Sequence, residues 1–266
     1  MTSTRPPAVA GLFYPSDPTE LQELVLELLN AAPEPGSSVP KAIIAPHAGY
    51  PYSGAIAARA YACLASARER ITRVVLLGPS HRVPLLGLAT SGADFFHTPL
   101  GDIPLDRVSI ASVEALPQVK RLDAAHQMEH SLEVHLPFLQ GLLGSFRLVP
   151  LVVGDATPEE TAEVLEHLWG SEETAIVISS DLSHFHDYAT AQRLDRSTRD
   201  AIEQLDCSAI GHEDACGRNP IRGLLLAAKR RGLTVKTLQL GNSADAAGPR
   251  DSVVGYGAWS FTDVES

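Results

Sequence analysis

The amino-acid sequence predicts an α/β fold in which helices cover both faces of a central, largely parallel or mixed sheet. Short β-type runs alternate with helical patterns along most of the 266 residues, which is typical of such sheets. Several helix starts carry capping signals, and the one linker-like stretch is 31–40. Because there is no internal repeat or low-complexity tract, we expect a single domain over residues 1–266.

The predicted elements follow one another in order along the chain. Strands are expected at 41–45, 73–78, 85–90, 147–154, 174–180, 235–240 and 252–261. Helices are expected at about 19–30, 53–67, 106–115, 129–143, 158–169, 188–205 and 220–231. The stretch Thr-Pro-Glu-Glu at 157–160 combines a capping residue, a first-turn proline and a capping box. Asn219-Pro220 repeats the cap-and-proline signal before the last helix.

Composition and charge argue against several classes of protein. The 21 Lys and Arg residues are outnumbered by 32 Asp and Glu residues, so the net charge is -11 and no nucleic-acid partner is expected. The longest apolar runs are five or six residues, against the ~20 needed to span a bilayer, so no membrane partner is expected. Prolines interrupt the N-terminus before a signal-type segment can form, which predicts a soluble, cytoplasmic protein.

Three predicted strands end in residues that can bind metals or move protons. "IIAPH" ends in His47, "VVLLGPSH" ends in His81, and "AIVISSDLSHFH" ends in Asp181, His184 and His186. In open parallel sheets, ligands bind in the crevice beyond the carboxyl ends of the strands. A single histidine at such a place is more often a capping or packing group. Three strands that deliver these residues together predict a metal or catalytic site.

Cys216 is a fourth candidate for this site. The three cysteines cannot all pair and show no CxxC spacing, which argues against a disulfide framework or a zinc ribbon. Cys216 lies shortly before the helix start at Asn219-Pro220, and a helix N-terminus stabilises the thiolate that binds metals. Its neighbours, Arg218 among them, are polar, although a small buried turn residue is the alternative. Cys63 and Cys207 are interpreted as helix-face packing residues.

The segment "HQMEHSLEVHLPFLQ" at 126–140 is rich in histidine and glutamate. His130 and Glu133 are three residues apart and would share one face of a helix, whereas His135 would lie on a different face. The spacing of His130, Glu133 and His135 has one residue more than an inverted zinc-protease signature, so a zinc-protease site is disfavoured. We expect His130 and Glu133 to line the crevice, with simple capping or pairing as the alternative. Three further histidines are interpreted as surface or structural residues: His97, His167 and His212.

Five motifs together resemble the Memo family. "IIAPHAGYPYSG", "LLGPSHRVPL", "EHSLEVHLPFL", "ISSDLSHF" and "CGRNPI" occur in the family's order, and the resemblance runs from about Ala8 to Phe261. It implies a Memo-like α/β domain with a fold similar to that of the class III extradiol dioxygenases. Carried over residue by residue, it implies that the metal ligands are His47, His81 and Cys216. It places two polar groups beside the metal, Asp181 and His184.

The third ligand position differs from that of the dioxygenases, which bind iron through two histidines and a carboxylate. Cys216 would supply a softer thiolate, which favours iron, copper(I) or zinc over magnesium or calcium. The resemblance therefore implies a redox-active metal, most readily Fe(II), with Cu as an alternative. Zn is a further possible metal, but it has no redox chemistry and would belong to a hydrolase. Dioxygenase activity does not transfer directly, because family membership alone does not establish a reaction.

Three functions are consistent with these residues. The leading hypothesis is a metal-dependent redox or dioxygenase-like enzyme in which His184 is the acid/base group and Asp181 orients it or a bound water. The first alternative is a non-catalytic module that captures a small molecule or a peptide in the same crevice, and the second is a zinc-dependent hydrolase. The residues expected to contact such a ligand are Tyr50, Tyr52, His130, Glu133 and Arg218.

Overall fold

The computed structural model describes residues 2–34, 36 and 38–263, and within these ranges it has twelve strands and nine α-helices. The strands are β1 (Thr4–Arg5), β2 (Ala42–Ala45), β3 (Arg73–Pro79), β4 (Leu88–Thr90), β5 (Phe95–Thr98), β6 (Gly101–Pro104), β7 (Val119–Arg121), β8 (Arg147–Val153), β9 (Thr174–Ser179), β10 (His184–His186), β11 (Thr234–Asn242) and β12 (Val253–Thr262). The helices are α1 (Pro18–Ala31), α2 (Tyr50–Ala62), α3 (Arg107–Val113), α4 (Asp123–Gln127), α5 (Leu136–Leu142), α6 (Pro158–His167), α7 (Tyr188–Glu203), α8 (Arg218–Arg231) and α9 (Ser243–Ala246).

A nine-stranded sheet forms the centre of the protein. Its middle consists of four parallel strands in the order β2, β9, β3, β8, and nearly all their residues are buried. β12 extends the sheet antiparallel to β2 and also pairs with β10 and β11. On the other side β4 joins antiparallel to β8 and carries β7, while β1, β5 and β6 form a separate small sheet. The predicted α/β fold with a mixed, centrally parallel sheet is confirmed.

Helices cover both faces of the large sheet, as predicted. The chain crosses the sheet from β2 through α2 to β3 in one direction, and from β8 through α6 to β9 in the other. Because crossovers between parallel strands are right-handed, α2 and α6 lie on opposite faces. α1 and α5 pack with α2, whereas α8 packs with α6 and against β3 and β9.

The predicted capping interactions are present at α6, whereas at α8 the helix is present but the predicted cap is not. In α6 the Thr157 hydroxyl accepts the backbone N–H of Glu160, whose carboxylate accepts the N–H of Thr157, so the capping box is present. α8 begins at Arg218, after Gly217, and so starts earlier than predicted. The Asn219 side chain is not its cap, because it donates to the carbonyl of Gly154 at 2.7 Å.

The helix predicted at 129–143 is wrong in its first part. Glu129 and His130 have no regular secondary structure, Ser131 and Leu132 form a turn, a single 3-10 turn follows at Glu133–His135, and only α5 is α-helical. The Glu129 carboxylate accepts the backbone N–H of Ser131, and such local side-chain bonds compete with helix formation. Pro137 then starts α5 in the first turn, where proline is tolerated.

The elements missed by the sequence prediction are short. β1, β5, β6, β7 and β10 have two to four residues each, too few for a periodic pattern to be recognised. The prediction at 85–90 was too long, since only β4 is a strand there. Within the described ranges, no helix combines the length and apolar character needed to cross a bilayer.

Candidate metal centre

His47 follows β2 and is held by the neighbouring strand β9. Its ring is buried, and Nδ1 lies 2.6 Å from the hydroxyl oxygen of Ser179. The Ser179 hydroxyl donates its own hydrogen to the carbonyl of Ser131 at 2.6 Å, so it accepts from the Nδ1–H of His47. This network assigns the proton to Nδ1 and leaves Nε2 of His47 unprotonated and directed into the crevice.

His81 follows β3 and is held by Glu129, a residue to which the sequence prediction gave no role. The backbone N–H of His81 donates to Oε2 of Glu129 at 2.6 Å, and its Nδ1 lies 2.9 Å from Oε1. Burial by itself would raise the pKa of Glu129, but the hydrogen bonds from His81 and Ser131 lower it to about 2. The ionised carboxylate keeps the proton of His81 on Nδ1 and leaves its Nε2 free to bind a metal.

Cys216 reaches the same crevice from the segment that leads into α8. Its sulfur lies 3.4 Å from Nε2 of His47 and accepts the backbone N–H of Asp181 at 3.3 Å. The next residue, Gly217, donates its N–H to the hydroxyl of Ser180 at 2.9 Å. A Cβ at position 217 would lie 2.5 Å from the carbonyl oxygen of Ser179, so only glycine lets this segment approach β9 so closely.

The thiol of Cys216 differs in one respect from the prediction. Burial raises its pKa well above the usual range, and the neighbouring Asp181 carboxyl adds to the effect. The N–H groups of Asp181 and Gly217 act in the opposite direction but do not outweigh burial. The helix N-terminus therefore does not by itself make Cys216 a thiolate, and a bound cation would have to displace the proton.

The three candidate ligands are brought together at a distance that suits one metal ion. One donor atom each from His47, His81 and Cys216 lies within 4.8 Å of the other two. A tetrahedral metal about 2.3 Å from sulfur and about 2.0 Å from nitrogen requires these two atoms to be about 3.5 Å apart. The separation of 3.4 Å between the Cys216 sulfur and Nε2 of His47 meets this requirement. The donor set therefore fits a metal.

Asp181 and His184 lie beside these ligands. Oδ1 of Asp181 accepts the backbone N–H of His47 at 2.8 Å, and Oδ2 is 3.9 Å from Nε2 of the same ring. Burial raises the pKa of Asp181 to about 7. Nδ1 of His184 donates to the carbonyl of Leu182 at 2.7 Å, which leaves Nε2 as the acceptor, and burial lowers the pKa of this histidine.

The backbone is strained at Phe185, the residue after His184. Phe185 has a φ of 62°, in the left-handed region, and its side chain is 77% exposed. The pairing of β10 with β12 shifts register between His184 and His186. A left-handed conformation costs a bulky residue roughly 1–2 kcal/mol. Such strain recurs at functional sites.

His130 lies against both histidine ligands. Its ring stacks on that of His81, with centroids 4.7 Å apart, and meets the edge of His47 at 5.5 Å. The Nδ1 atom of His130 is buried and has no hydrogen-bond partner among the described residues. Together with His81 and Glu129 it forms a second group whose donor atoms lie within 4.8 Å of one another.

Glu133 does not line the crevice. Its side chain is fully buried, forms an ion pair with Arg5, and accepts hydrogen bonds from the N–H groups of Ala8 and Val9 and from the hydroxyl of Tyr14. All these partners belong to the N-terminal segment. Glu133 therefore anchors that segment to the core, so the prediction of a substrate contact is corrected in favour of pairing.

Tyr50 is likewise unsuited to contact a substrate, contrary to the prediction. It is 3% exposed, and its hydroxyl donates to the carbonyl of Val134 at 2.8 Å. The ring packs against Tyr14 and Phe138, on the inner side of α2. Tyr52, two residues later, is 45% exposed.

A cavity of about 760 Å³ opens beside the ligands, with His81, Cys216 and Arg218 in its wall. His212, which the sequence led us to regard as a surface or structural residue, also lines this cavity. The half-buried Cys63, directly after α2, donates to the carbonyl of Arg59 in that helix. Cys63 thus lies apart from the site, as expected.

Comparison with known proteins places the chain in a family. The model of the Memo family, described as "Memo-like protein", matches residues 5–260. A MEMO1 family protein of Sulfolobus acidocaldarius is 34% identical over 288 aligned positions, which cover 97% of this chain and 99% of that protein. The chain belongs to the Memo family.

Other relatives agree with this assignment. The MEMO1 family protein MK0963 of Methanopyrus kandleri is 34% identical, over 97% of this chain and 98% of its own length. Among solved structures, the uncharacterized protein JW3007 of Escherichia coli K12 superposes with a TM-score of 0.54. It covers 82% of this chain and 98% of its own, at 12% identity, so it bears on the fold alone. The family model and the two MEMO1 relatives confirm the resemblance identified from the five motifs.

Proposed function

We propose that this Memo-family protein is a metal-dependent redox enzyme with one metal ion bound by His47, His81 and Cys216. Fe(II) is the preferred ion, with Cu as the redox-active alternative, because a thiolate beside two imidazoles suits these metals. Zn suits the same donors but has no redox chemistry, so a zinc-bound protein would fit only the hydrolase alternative. The observation that carries the proposal is that each ligand is held by a partner. Ser179 and Glu129 fix the two rings with Nε2 free, and the backbone N–H of Asp181 donates to the sulfur. Ligands that are held in this way are preorganised for a metal.

The metal would supply Lewis acidity and electron transfer to a bound small molecule or to O₂. Three protein ligands leave coordination positions open, which is typical of catalytic sites. A thiolate in place of a carboxylate increases the electron density on iron, which favours its oxidation. We therefore expect oxygen consumption with at most weak ring opening of simple catechols.

The residues beside the ligands are suited to move protons. His184 is neutral near pH 7 because burial lowers its pKa, and its Nε2 is free to accept a proton from a bound molecule. Asp181, with a pKa of about 7, can hold or release a proton next to His47. His130 offers a further imidazole against the same rings, and we propose it as a contact for the bound molecule.

Metal content and oxygen uptake together test this proposal. Protein purified without oxygen from its own source is analysed for metals, and Fe(II)-reconstituted protein is then assayed for O₂ consumption. We expect His47→Ala, His81→Ala and Cys216→Ser to lose both metal and activity, and His184→Ala to keep the metal but lose most activity. Cys63→Ser is the matched control for the thiol and should change neither.

Two results would contradict the proposal. Stoichiometric metal in Cys216→Ser would remove the thiol from the ligand set. Oxygen uptake no faster than that of free Fe(II), in wild type and variants alike, would favour the non-catalytic binding module that uses the same crevice.

A further inference from the structure

The cavity beside His81 and Cys216 has the size of a small-molecule site. Its volume of about 760 Å³ falls in the range of ~300–1,000 Å³ that is typical of ligand pockets. Its walls come from the loop after β3, from β7, from the end of β8, and from the start of α8. The residues that matter for its chemistry are Val83, Leu85, Leu86, Lys120, Asp155, Arg218 and Pro220.

Two cations in this wall have no side-chain partner among the described residues. Lys120 lies on β7 and Arg218 is the first residue of α8. Within the described part of the chain, neither side chain forms an ion pair or a hydrogen bond, whereas Arg5, Arg73 and Arg230 pair with carboxylates. Both cations line the same cavity, in a chain whose net charge is -11. They indicate that an anion binds there.

The remaining charges indicate which kind of anion. Asp155 is the one carboxylate in the described cavity wall, so the wall carries two cations against one anion. In the metal-free protein, the resulting single positive charge matches a monoanion, and Asp155 would repel a second negative charge on the ligand. This balance favours a carboxylate over a phosphate group.

The rest of the wall is suited to an apolar body. Val83, Leu85 and Leu86 lie on the loop after β3, and Pro220 faces the cavity from the first turn of α8. Leu86 is 74% exposed, although it is a large apolar residue beside a candidate active site. A hydrocarbon or aromatic group placed against this loop would remove that apolar surface from water.

We propose that this cavity binds a monoanionic carboxylic acid with an apolar body. The carboxylate would contact Arg218 and Lys120, the body would pack against the loop at 83–86, and the far end would point toward His81 and Cys216. This names the substrate class of the proposed function, and it rests on that function only for the claim that the bound molecule is transformed.

The test compares three probes of similar size on the full-length protein. Binding of benzoate, of the neutral benzamide and of the dianionic phenyl phosphate is measured by ligand-detected NMR, after chelator treatment and again after zinc loading. We expect benzoate to bind about tenfold more tightly than benzamide, with or without zinc, because a hydrogen bond to a charged partner is stronger than one between neutral groups. Phenyl phosphate should bind more weakly than benzoate.

Variants of the two cations then assign the site. Arg218→Met and Lys120→Met should each weaken benzoate about three- to tenfold and leave benzamide unchanged. Lys229→Met, in the exposed last turn of α8, is the matched control and should bind benzoate as wild type does. Thermal melting of each variant shows that the protein is folded.

Several outcomes would overturn the proposal. They are equal binding of benzoate and benzamide, benzoate binding that needs zinc, tighter binding of phenyl phosphate, or unchanged benzoate affinity in both cation variants. Intact selectivity for benzoate in a protein that consumes no oxygen would instead reject the redox proposal and keep the carboxylate site.

Discussion

Two hydrogen bonds join His81 to Glu129, one from the backbone N–H of His81 and one from its ring. The backbone N–H of His81 donates to one carboxylate oxygen at 2.6 Å, and the ring Nδ1–H donates to the other at 2.9 Å. Glu129 is 1% exposed, so its charge is screened little by water. One buried carboxylate thus fixes both the position of the loop after β3 and the orientation of the ring.

Replacing Glu129 by glutamine should weaken metal binding. The side-chain amide keeps the shape but offers one acceptor oxygen where the carboxylate serves N–H groups of His81 and Ser131 on both oxygens. We expect the metal affinity of Glu129→Gln to fall by roughly 10–100-fold, as is usual when the partner of a ligating histidine is lost. Competition with a chelator measures this affinity. Glu172→Gln, at an exposed surface pair, is the control, and an unchanged affinity in Glu129→Gln would contradict the role.

Gly217→Ala should displace the segment that carries Cys216. The added Cβ would lie 2.5 Å from the carbonyl oxygen of Ser179 and 2.6 Å from Cβ of Ser180, neither of which can move freely. We expect a loss of about 1–3 kcal/mol in the free energy of unfolding and a lower metal occupancy. Urea unfolding and metal analysis measure these quantities. Gly144→Ala, where a Cβ meets nothing within 4 Å, should leave both unchanged.

Glu133→Ala should destabilise the fold without altering the metal site directly. The substitution leaves Arg5 buried without its ion pair, at a cost of about 3–5 kcal/mol in the free energy of unfolding. The double variant Arg5→Met, Glu133→Leu removes the unpaired charge and should recover part of that loss. Metal affinity, measured below the melting transition, should be close to wild type. A folded Glu133→Ala with normal stability would contradict the anchoring role.

The ligand histidines could be predicted, whereas their partners could not. His47, His81 and Asp181 follow strands whose apolar runs are evident, and the topology of a parallel sheet brings such ends together. Glu129 supports His81 from 48 positions away, a contact that no local pattern encodes. Tyr50 was expected to contact a ligand because the helix was predicted to start at about 53, but α2 begins at Tyr50 and its ring packs inward.

The role of Glu133 likewise could not be predicted from the sequence. A glutamate in a helical sequence pattern is equally consistent with lining a crevice and with forming a buried ion pair. The choice depends on Arg5, which lies in a two-residue strand that has no periodicity. Cys216 was a candidate from its position before a helix start, and the five family motifs supported it as a ligand, although burial opposes the thiolate that its local sequence favours.

Asp195 provides a prediction for the pH dependence of stability. Its side chain is buried on α7 and accepts the backbone N–H of Ser183 at 3.1 Å, and burial raises its pKa from 3.8 to about 6. Because the folded pKa lies above the unfolded value, its contribution is fully present below about pH 4 and is lost as the pH rises through 6. Asp195→Asn keeps the acceptor oxygen and cannot ionise. We expect it to be more stable than wild type by about 1–3 kcal/mol at pH 8 and equal to it near pH 4, as measured by urea unfolding.

Asp200→Asn, on the exposed face of α7, is the control and should show no such pH-dependent gain. If Asp195→Asn gained as much stability at pH 4 as at pH 8, the titration of Asp195 would not be the cause.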